Sequence, residues 1–284
     1  MRAMSELEGK TVLVTGATAG IGRETALGLA KLGAHVVLVG RDEAKTKRVC
    51  DELRAATGNE KIDFLLADVS KLAEVRRLSA EFMSRFGTLT VLVNNVGLMN
   101  LQREVSGDGF ELTFAVNHLA PFLLTKLLLP ALARGAPARI VNVSSDAHRG
   151  ASLDFDNLQL EKGYSTFAAY GRSKLMNILF TRELARRVAS QRITANALHP
   201  GMVASNFMKK PGFVGTVGNA FMSVFGISPE KGARTSLFLA ASPEVEGKSG
   251  RYYARSQESQ PSRQAQDDEA ARHLWDISEQ LTKP

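Results

Sequence analysis

A tyrosine and a lysine stand four positions apart in the segment Tyr170-Gly-Arg-Ser-Lys174. On a helix this spacing places both side chains on the same face. A phenol has a pKa of about 10, too high for easy proton exchange at neutral pH, and a neighbouring ammonium group lowers that pKa by stabilising the phenolate. The pair therefore predicts a proton-transferring group, although the same spacing also arises by chance in many helices.

Three glycines lie close together near the N-terminus, in Thr15-Gly-Ala-Thr-Ala-Gly-Ile-Gly22. This segment follows an apolar run typical of a buried strand and precedes a helical pattern. Glycine allows a tight turn, and the missing side chains let a pyrophosphate approach the backbone N–H groups at the start of the helix. The pattern predicts a dinucleotide site, because an ordinary strand–helix turn does not require so many glycines.

The choice of dinucleotide depends on the end of the second predicted strand, which reads Val39-Gly40-Arg41. An acidic residue there would bind the ribose hydroxyls of NAD(H) and repel a 2′-phosphate. Arg41 can instead form a forked, charge-assisted contact with that phosphate, and Asp42 is better placed to cap the following helix. The sequence therefore favours NADP(H), with NAD(H) as the alternative if Arg41 is only a solvated surface charge.

Short β-branched runs alternate with longer helical patterns along the chain. They predict strands at 11–15, 35–39, 62–67, 89–93, 139–143, 193–198 and 249–254, with helices between them, including 20–32 and 43–57. Continuous apolar strands separated by helices indicate a parallel sheet covered on both faces, in a doubly wound architecture. We predict a single α/β domain of the Rossmann type over 1–284, with a mostly parallel seven-stranded sheet. The polar stretch 255–268 is expected to have little regular structure, followed by a helix at about 268–282.

Polar side chains also follow the ends of two further predicted strands. One strand ends in Ser144 and Ser145, and Asn94-Asn-Val-Gly97 follows the fourth strand. Asn117 lies on a predicted helix between these two strands. Doubly wound sheets bind ligands at the carboxyl edge of their strands, so these groups are candidates for one site.

Together these motifs closely resemble the short-chain dehydrogenase/reductase family, over nearly the whole chain and in the family's order. The matching features are the glycine turn, Asn94-Asn95-Val96-Gly97, Ser145, Tyr170 with Lys174, and His199-Pro200-Gly201. Two positions depart from the usual pattern: Val96 replaces an alanine and Ser205 replaces a threonine. Neither departure removes a catalytic group, although the bulkier Val96 implies a slightly reshaped cofactor bed.

The resemblance implies hydride transfer between a nicotinamide and a substrate carbon. It implies Tyr170 as the acid in reduction and the base in oxidation, with Lys174 holding the nicotinamide ribose and tuning Tyr170. It also implies that Ser145 orients the substrate oxygen, with Ser144 as the alternative, and that Asn117 holds a water in a proton relay. The expected cofactor-binding residues, from the glycine turn and from the resemblance, are Gly16, Thr18, Ala19, Gly20, Ile21, Gly22, Arg41, Asp68, Val69, Asn95, Val96, Gly97, Tyr170, Lys174, Pro200, Gly201, Val203 and Ser205.

The interval between Ser145 and Tyr170 is longer than in compact members, and residues 151–164 resemble the insert of the retinol dehydrogenase-like branch. The segment 170–181 and Leu274-Trp-Asp-Ile-Ser278 continue this resemblance. It implies a lipophilic alcohol or carbonyl substrate, retinoid-like or otherwise apolar, with a general ketone or quinone reductase that uses NAD(H) as the alternative. Residues 203–227 are rich in apolar residues and glycine, and we expect them to form a lid over the substrate or to pack on a neighbouring subunit.

Composition and charge weigh against several other classes. A net charge of +7 without a basic run gives little support for nucleic-acid binding, and the five histidines lack metal-ligand spacing. The single cysteine, Cys50, fits a reducing compartment, and no uninterrupted apolar stretch reaches the roughly 20 residues of a membrane span. We therefore expect a cytoplasmic protein without an integral membrane segment. The resemblance implies a homodimer or homotetramer that pairs through helices at about 112–132 and 167–189.

The main alternative function is a dinucleotide-binding sensor or scaffold without turnover. Such proteins usually lack the tyrosine or the lysine, and both are present here. Two further residues stand out: Trp275 is expected to anchor the C-terminal helix, and His148 follows Ser145 closely without further support for a role.

Overall fold

The structure is a computed structural model that describes residues 7–201 and 227–284. Its strands are β1 (Thr11–Thr15), β2 (His35–Gly40), β3 (Ile62–Leu66), β4 (Val91–Asn94), β5 (Ala138–Val143), β6 (Ile193–His199), β7 (Tyr252–Ala254) and β8 (Gln257–Glu258). They form one sheet in the order β3-β2-β1-β4-β5-β6-β7-β8, and β1 to β7 pair in parallel. The strand order reverses between β1 and β4, which opens a crevice at the carboxyl edge. The predicted doubly wound α/β fold is confirmed.

The sheet has an eighth strand in the described part of the chain, where the sequence predicts seven. Strand β8 is two residues long and pairs antiparallel with β7. Arg255 and Ser256 form the turn between them, with positive φ angles of 53° and 59°. Asn and Gly usually occupy such two-residue turns, so this turn carries no hairpin pattern in its sequence. The stretch 255–268, for which little regular structure is predicted, contains the turn, the two residues of β8 and a 3-10 turn at Gln264–Gln266 before α7 begins.

Helices cover both faces of the sheet: α1 (Gly20–Lys31), α2 (Glu43–Thr57), α3 (Leu72–Arg85), α4 (Leu112–Arg134), α5 (Thr166–Arg187), α6 (Pro229–Ala241) and α7 (Asp268–Leu281). Alternate residues of each strand face opposite layers. On β1, Leu13 joins the apolar core with α3, α4, α5 and α7, whereas Val12 and Val14 join the core with α1, α2 and α6. Burial on both faces explains the continuous apolar strands of the sequence.

Helix α4 begins after Glu111, whose carboxylate accepts hydrogen bonds from the backbone N–H groups of Thr113 at 2.9 Å and Phe114 at 2.7 Å. A π-helical stretch follows at Ala115–Leu119. By length and composition alone this helix could cross a membrane, but 78% of its most apolar window is buried within the structure. Core helices of globular domains meet the same criterion, so we assign the apolar character of α4 to packing.

Helix α7 packs on α4 and α5 through Trp275, as predicted. The Trp275 ring lies 4.9 Å from the ring of Phe122 and 5.9 Å from that of Phe180, measured between centroids. The guanidinium of Arg187 lies over the same ring at 4.4 Å. Trp275 is 5% exposed, so the indole fills the contact between the three helices.

Strand β3 forms one edge of the sheet, and its outward carbonyl groups are covered by side chains from α2 and α3. Each of three arginines donates to one carbonyl: Arg54 to Ile62, Arg85 to Phe64 at 3.3 Å, and Arg77 to Leu66 at 2.5 Å. These carbonyl groups belong to alternate residues of β3 and point away from β2. The backbone groups of the intervening residues point towards β2 and pair with it. We call this feature the arginine-covered edge.

Candidate active site

The turn between β1 and α1 has the conformation that its glycines predict. Gly16 and Gly20 have positive φ angles of 65° and 54°. A Cβ on Gly22 would lie 2.3 Å from the carbonyl oxygen of Gly16, whereas a Cβ on Gly20 would meet nothing within 4 Å. Ala19 is the residue before α1; its backbone is extended, and its side chain does not cap the helix. The turn thus presents the start of α1 to open space, an arrangement that suits a pyrophosphate.

Thr15 and Asn95 hold this turn against the end of β4. The Thr15 hydroxyl oxygen accepts from the N–H groups of Asn95 at 3.0 Å and Val96 at 3.1 Å. In return, Asn95 Nδ2 donates to the carbonyl oxygens of Thr15 at 2.9 Å and Gly16 at 3.3 Å. The Asn95 side chain therefore positions the glycine turn, and its direct contact with a cofactor stays a prediction.

The ends of β2 and β3 form the far side of the predicted cofactor site. Arg41 follows β2 and is exposed. Asp42 accepts at 2.8 Å from a backbone N–H in the first turn of α2, which confirms its predicted role as a cap. After β3, Asp68 Oδ1 accepts from the N–H of Ser70 at 3.1 Å and from its hydroxyl at 2.7 Å, and Val69 is half-buried.

Helix α5 places the tyrosine and the lysine beside the end of β5. Lys174 Nζ lies 5.4 Å from the centroid of the Tyr170 ring and donates to the carbonyl oxygen of Val143 at 3.1 Å. Lys174 is 2% exposed, whereas Tyr170 is half-buried. The predicted meeting of the two side chains on one helix face is therefore present.

Burial controls the ionisation of both groups. Burial lowers the pKa of the Lys174 ammonium to about 8. Burial raises the pKa of the Tyr170 phenol, and a hydrogen bond with Ser145 acts in the opposite direction. The tyrosine–lysine pairing alone predicts a lowered phenol pKa, and that expectation is wrong for this structure because removal from water penalises the phenolate. Tyr170 is therefore neutral at neutral pH.

The two serines at the end of β5 have different surroundings. Ser144 is 1% exposed, and its hydroxyl donates to the backbone carbonyl oxygen of Lys174 at 2.7 Å. Ser145 is half-buried, hydrogen-bonds with Tyr170, and begins a 3-10 turn at Asp146–Gly150. This geometry favours Ser145 as the substrate-facing serine and gives Ser144 a packing role.

Asn117 lies in the π-helical stretch of α4 and is fully buried. Its Oδ1 accepts from the N–H of Leu98 at 2.8 Å, and its Nδ2 donates to the carbonyl oxygen of Leu98 and to the Ser173 hydroxyl, each at 2.9 Å. A Cβ on Gly97 would lie 3.4 Å from Asn117 Oδ1 and 3.3 Å from Lys174 Nζ. The amide thus ties the loop after β4 to α5, and the water relay through Asn117 stays a prediction.

Several residues that are not among the predicted site residues surround the turn that begins at Ser145. His199 Nδ1 accepts from the N–H of Asp146 at 3.2 Å, and the Tyr252 hydroxyl donates to Asp146 Oδ1 at 3.0 Å. His148 Nδ1 lies 2.6 Å from the carbonyl oxygen of Ser145. The partners of Asp146 are 53 and 106 positions away in the chain, so no local pattern indicates them.

The predicted cofactor residues that the structure describes lie after β1, β2, β3, β4 and β6 and on α5, at or beside the carboxyl edge of the sheet. They are Gly16, Thr18, Ala19, Gly20, Ile21, Gly22, Arg41, Asp68, Val69, Asn95, Val96, Gly97, Tyr170, Lys174, Pro200 and Gly201. Val203, Ser205 and the predicted lid, apart from Ile227, lie outside the described residues. Within 7–201 and 227–284, no group of three or more His, Cys, Asp or Glu side chains could hold a metal ion.

A family profile described as short chain dehydrogenase matches residues 10–212. The chain belongs to this family. The matched span contains the glycine turn, Ser145, and the pair formed by Tyr170 and Lys174, so the resemblance seen in the motifs is confirmed.

Two human proteins show where in the short-chain dehydrogenase family the chain lies. Retinol dehydrogenase 14 of Homo sapiens is 42% identical over 289 residues, which cover 96% of this chain and 86% of that protein. Retinol dehydrogenase 11 of Homo sapiens is 43% identical over 273 residues, with the same shares. The relation to retinol dehydrogenases is therefore confirmed.

Solved structures of related proteins share the fold. An uncharacterized protein from Mycobacterium paratuberculosis is 32% identical, with a TM-score of 0.79 over 97% of this chain and 94% of that one. The Pseudomonas aeruginosa RhlG/NADP active-site complex is 26% identical, with a TM-score of 0.70 over 89% of this chain and 97% of that one.

Proposed function

We propose that this short-chain dehydrogenase uses NADP(H) to interconvert a lipophilic alcohol and the corresponding carbonyl compound. The main support is the convergence of three groups: Tyr170 hydrogen-bonds with Ser145, and the ammonium of Lys174 faces the Tyr170 ring at 5.4 Å. These three side chains also lie beside the glycine turn. A Cβ on Gly16 would lie 3.2 Å from Val96 Cα, and a Cβ on the next residue, Gly97, would lie 3.3 Å from Lys174 Nζ. An acid, an orienting hydroxyl and a cation thus border a dinucleotide crevice.

The proposed roles follow from this arrangement. A bound nicotinamide supplies the hydride in reduction or accepts it in oxidation. In reduction the Tyr170 hydroxyl donates its proton to the carbonyl oxygen, while the Ser145 hydroxyl orients that oxygen. The ammonium of Lys174 stabilises the negative charge left on the Tyr170 oxygen. In oxidation the phenolate removes the hydroxyl proton of the alcohol. The raised pKa of Tyr170 keeps the phenol protonated at neutral pH, the form that donates in carbonyl reduction.

The residues present fit a dinucleotide with a 2′-phosphate. The carbonyl oxygen of Gly16 fills the space that a side chain at Gly22 would need, and the space over Gly20 is open. The exposed guanidinium of Arg41, at the end of β2, suits the phosphate, since an arginine can contact it with two parallel N–H groups. The related Pseudomonas aeruginosa RhlG is described in complex with NADP, which supports the same choice here.

Apolar side chains near the site support a lipophilic substrate. Leu98 and Met99 follow the turn after β4 and are half-buried. Phe167, three residues before Tyr170, is 80% exposed, and Leu101 is 49% exposed. The Thr166 hydroxyl donates to the carbonyl oxygen of Leu101 at 3.2 Å and so joins this loop to the start of α5. The names of the retinol dehydrogenase relatives favour a retinoid-like compound.

Tyr170→Phe tests the enzymatic proposal, because it removes the proton and keeps the ring. We expect kcat to fall by about 10²- to 10⁴-fold, with the dissociation constant for NADPH changed by less than about twofold. Tyr164→Phe is the matched control, since it removes a tyrosine hydroxyl that donates to the loop carbonyl of Asn100, at 2.9 Å, from the same part of the chain. Turnover should be measured with retinal, a steroid ketone and simple aldehydes. Unchanged turnover in Tyr170→Phe contradicts the proposed acid, and a preference for small polar carbonyls contradicts the lipophilic substrate.

Arg41→Ala tests the cofactor proposal. A charge-assisted contact contributes about 1.5–3 kcal/mol, so the dissociation constant for NADPH should rise by about tenfold or more, and that for NADH should change little. Arg48→Ala removes a similarly exposed arginine from α2 and serves as the control. Equal weakening of both dinucleotides by Arg41→Ala would argue against the 2′-phosphate contact.

A further inference from the structure

We infer that His148 is a positioning residue that ties the Ser145 turn to the C-terminal segment 259–262, and that only its neutral imidazole makes this connection. The inference rests on the proposed function, because its consequence for turnover acts through Ser145. His148 lies in the 3-10 turn Asp146–Gly150 and is fully buried. Its two ring nitrogens contact two parts of the chain that are distant in sequence.

The two contacts determine which ring nitrogen carries the proton. The backbone N–H of Ser262 lies 3.0 Å from His148 Nε2, and because an N–H group can only donate, Nε2 must be the unprotonated acceptor. Nδ1 therefore carries the hydrogen and donates to the carbonyl oxygen of Ser145 at 2.6 Å. The N–H of His148 also donates to that carbonyl oxygen, at 3.2 Å, so one residue fixes the backbone of the serine.

The neighbours of His148 hold the same turn against the C-terminal part of the sheet. The Tyr252 ring on β7 packs edge-on against the imidazole at 5.1 Å, and its hydroxyl donates to Asp146. Arg149 donates to Asp146 Oδ1 at 3.0 Å and to the carbonyl oxygen of Gln260 at 2.9 Å. The segment 259–262 therefore contacts the Ser145 turn at two adjacent residues, His148 and Arg149.

Protonation of His148 would break the connection. The imidazolium carries a hydrogen on Nε2, which would point at the N–H of Ser262 and leave both donors unpaired. Burial lowers the pKa of His148, a backbone hydrogen bond to Ser145 acts in the opposite direction, and the charged groups that face the ring are Asp146 and Arg149 of its own turn and His199 of β6. The connection is therefore intact at neutral pH and is lost as the pH falls through a pKa below the usual value of about 6.5.

Variants of His148 separate the two contacts. His148→Ala removes both, and we expect kcat to fall by about ten- to a hundredfold while the dissociation constant for NADPH changes by less than about twofold, because Ser145 is displaced and the glycine turn is not. His148→Asn keeps a donor near the Nδ1 position and should restore part of kcat. The asparagine side chain cannot be protonated in this pH range, so activity that the wild type loses at acidic pH through protonation of His148 should persist in His148→Asn. His273→Asn, at an exposed position of α7, is the matched control and should leave turnover and its pH profile unchanged.

Two readouts do not need turnover. Long-range ¹H–¹⁵N spectra should show His148 with its hydrogen on Nδ1 at neutral pH. Amide exchange measured on a peptide that covers 259–262 should be slow in the wild type and in His148→Gln, which keeps an acceptor for Ser262, and faster in His148→Ala.

The outcomes separate this inference from the proposed function. A hydrogen on Nε2, or unchanged exchange in His148→Ala, overturns the connection itself. If His148→Asn loses activity at acidic pH as the wild type does, the role of His148 in catalysis is overturned. A wild type without turnover overturns the proposed function and the catalytic half of this inference, while the spectra and the exchange rates still decide whether the connection exists.

Discussion

Lys174 keeps its ammonium group almost out of contact with water. It is 2% exposed, donates to the carbonyl oxygen of Val143 and faces the ring of Tyr170. A charge removed from water loses solvation, and this cost lowers the pKa of Lys174 from 10.5 to about 8. The cofactor-free protein therefore contains a lysine that is charged below about pH 8 and loses its charge as the pH rises through that value.

This ionisation can be measured directly. In a protein with ¹³C-labelled lysine side chains, we expect one Cε resonance to titrate near pH 8, and solvent-exposed lysines near their ordinary value of about 10.4. Lys174→Met should remove that resonance, whereas Lys162→Met, at an exposed position of the insert, should leave it in place. A midpoint above pH 10 for the Lys174 resonance would show that the ammonium is better solvated than the structure indicates.

At the scale of residues, the sequence predicts which groups could do chemistry better than it predicts how they are held. The spacing of Tyr170 and Lys174 and the strand-end position of Ser145 are local features, and the structure places all three together. Contacts between distant residues are not visible in the sequence. Asn95 holds a carbonyl oxygen 80 positions away, and Asn117 bonds to a serine 56 positions away. The raised pKa of Tyr170 depends on burial, which local spacing does not determine.

At the scale of elements, α7 packs on α4 and α5, the two helices that carry Asn117, Tyr170 and Lys174. Trp275 packs on Phe122 of α4 and on Phe180 of α5. Asp268, at the start of α7, forms ion pairs with Arg182 and Arg186 of α5 at 2.8 and 2.7 Å. The side chains in these pairs are 27–48% exposed, and solvent-exposed pairs contribute only about 0–1 kcal/mol, so the indole is the main contact. The pairing through α4 and α5 that the family resemblance implies would have to use the parts that α7 leaves open.

Trp275→Ala tests this view of α7. Truncating a buried aromatic side chain costs about 3–5 kcal/mol, and the free energy of unfolding should fall by that amount in urea titrations followed by circular dichroism. Trp275→Phe keeps an aromatic ring and should lose less. Asp276→Ala, at an exposed position beside it, is the control and should change stability by less than about 0.5 kcal/mol. A similarly small loss in Trp275→Ala would mean that α7 is held by contacts other than the indole.

At the scale of the whole molecule, periodicity was sufficient for the strands that form the centre of the sheet. Strand β1 and helix α2 begin and end where they are predicted, because their apolar periods and their capping residues are local. The C-terminal region was harder to predict. Strand β8 is two residues long and follows a turn of Arg255 and Ser256, residues that rarely favour positive φ. Its place in the fold is set by pairing with β7, which no pattern within 255–268 reveals.

The arginine-covered edge predicts how the molecule avoids self-association. Exposed edge strands pair readily with other chains, and charged side chains over the edge oppose this. The triple variant Arg54→Ala, Arg77→Ala, Arg85→Ala uncovers three carbonyl groups of β3, so we expect faster growth of light scattering and of thioflavin T fluorescence on mild heating. The triple variant Arg48→Ala, Arg263→Ala, Arg272→Ala removes the same charge from other exposed positions and is the control. Equal aggregation of the two would assign the effect to net charge rather than to the edge.

The opposite edge of the sheet, formed by β8, resists pairing with another chain in a different way. There the last parallel strand is followed by β8, which reverses direction and offers only two residues, Gln257 and Glu258, as a template. Very short edge strands are poor partners for a new chain. Arginine side chains cover the β3 edge of the sheet, and the two-residue strand β8 forms the other edge. Neither edge therefore favours extension of the sheet by a second chain. We therefore expect that copies of this protein that associate meet through side chains of helices or loops, and such contacts can form and separate without breaking a β-ladder.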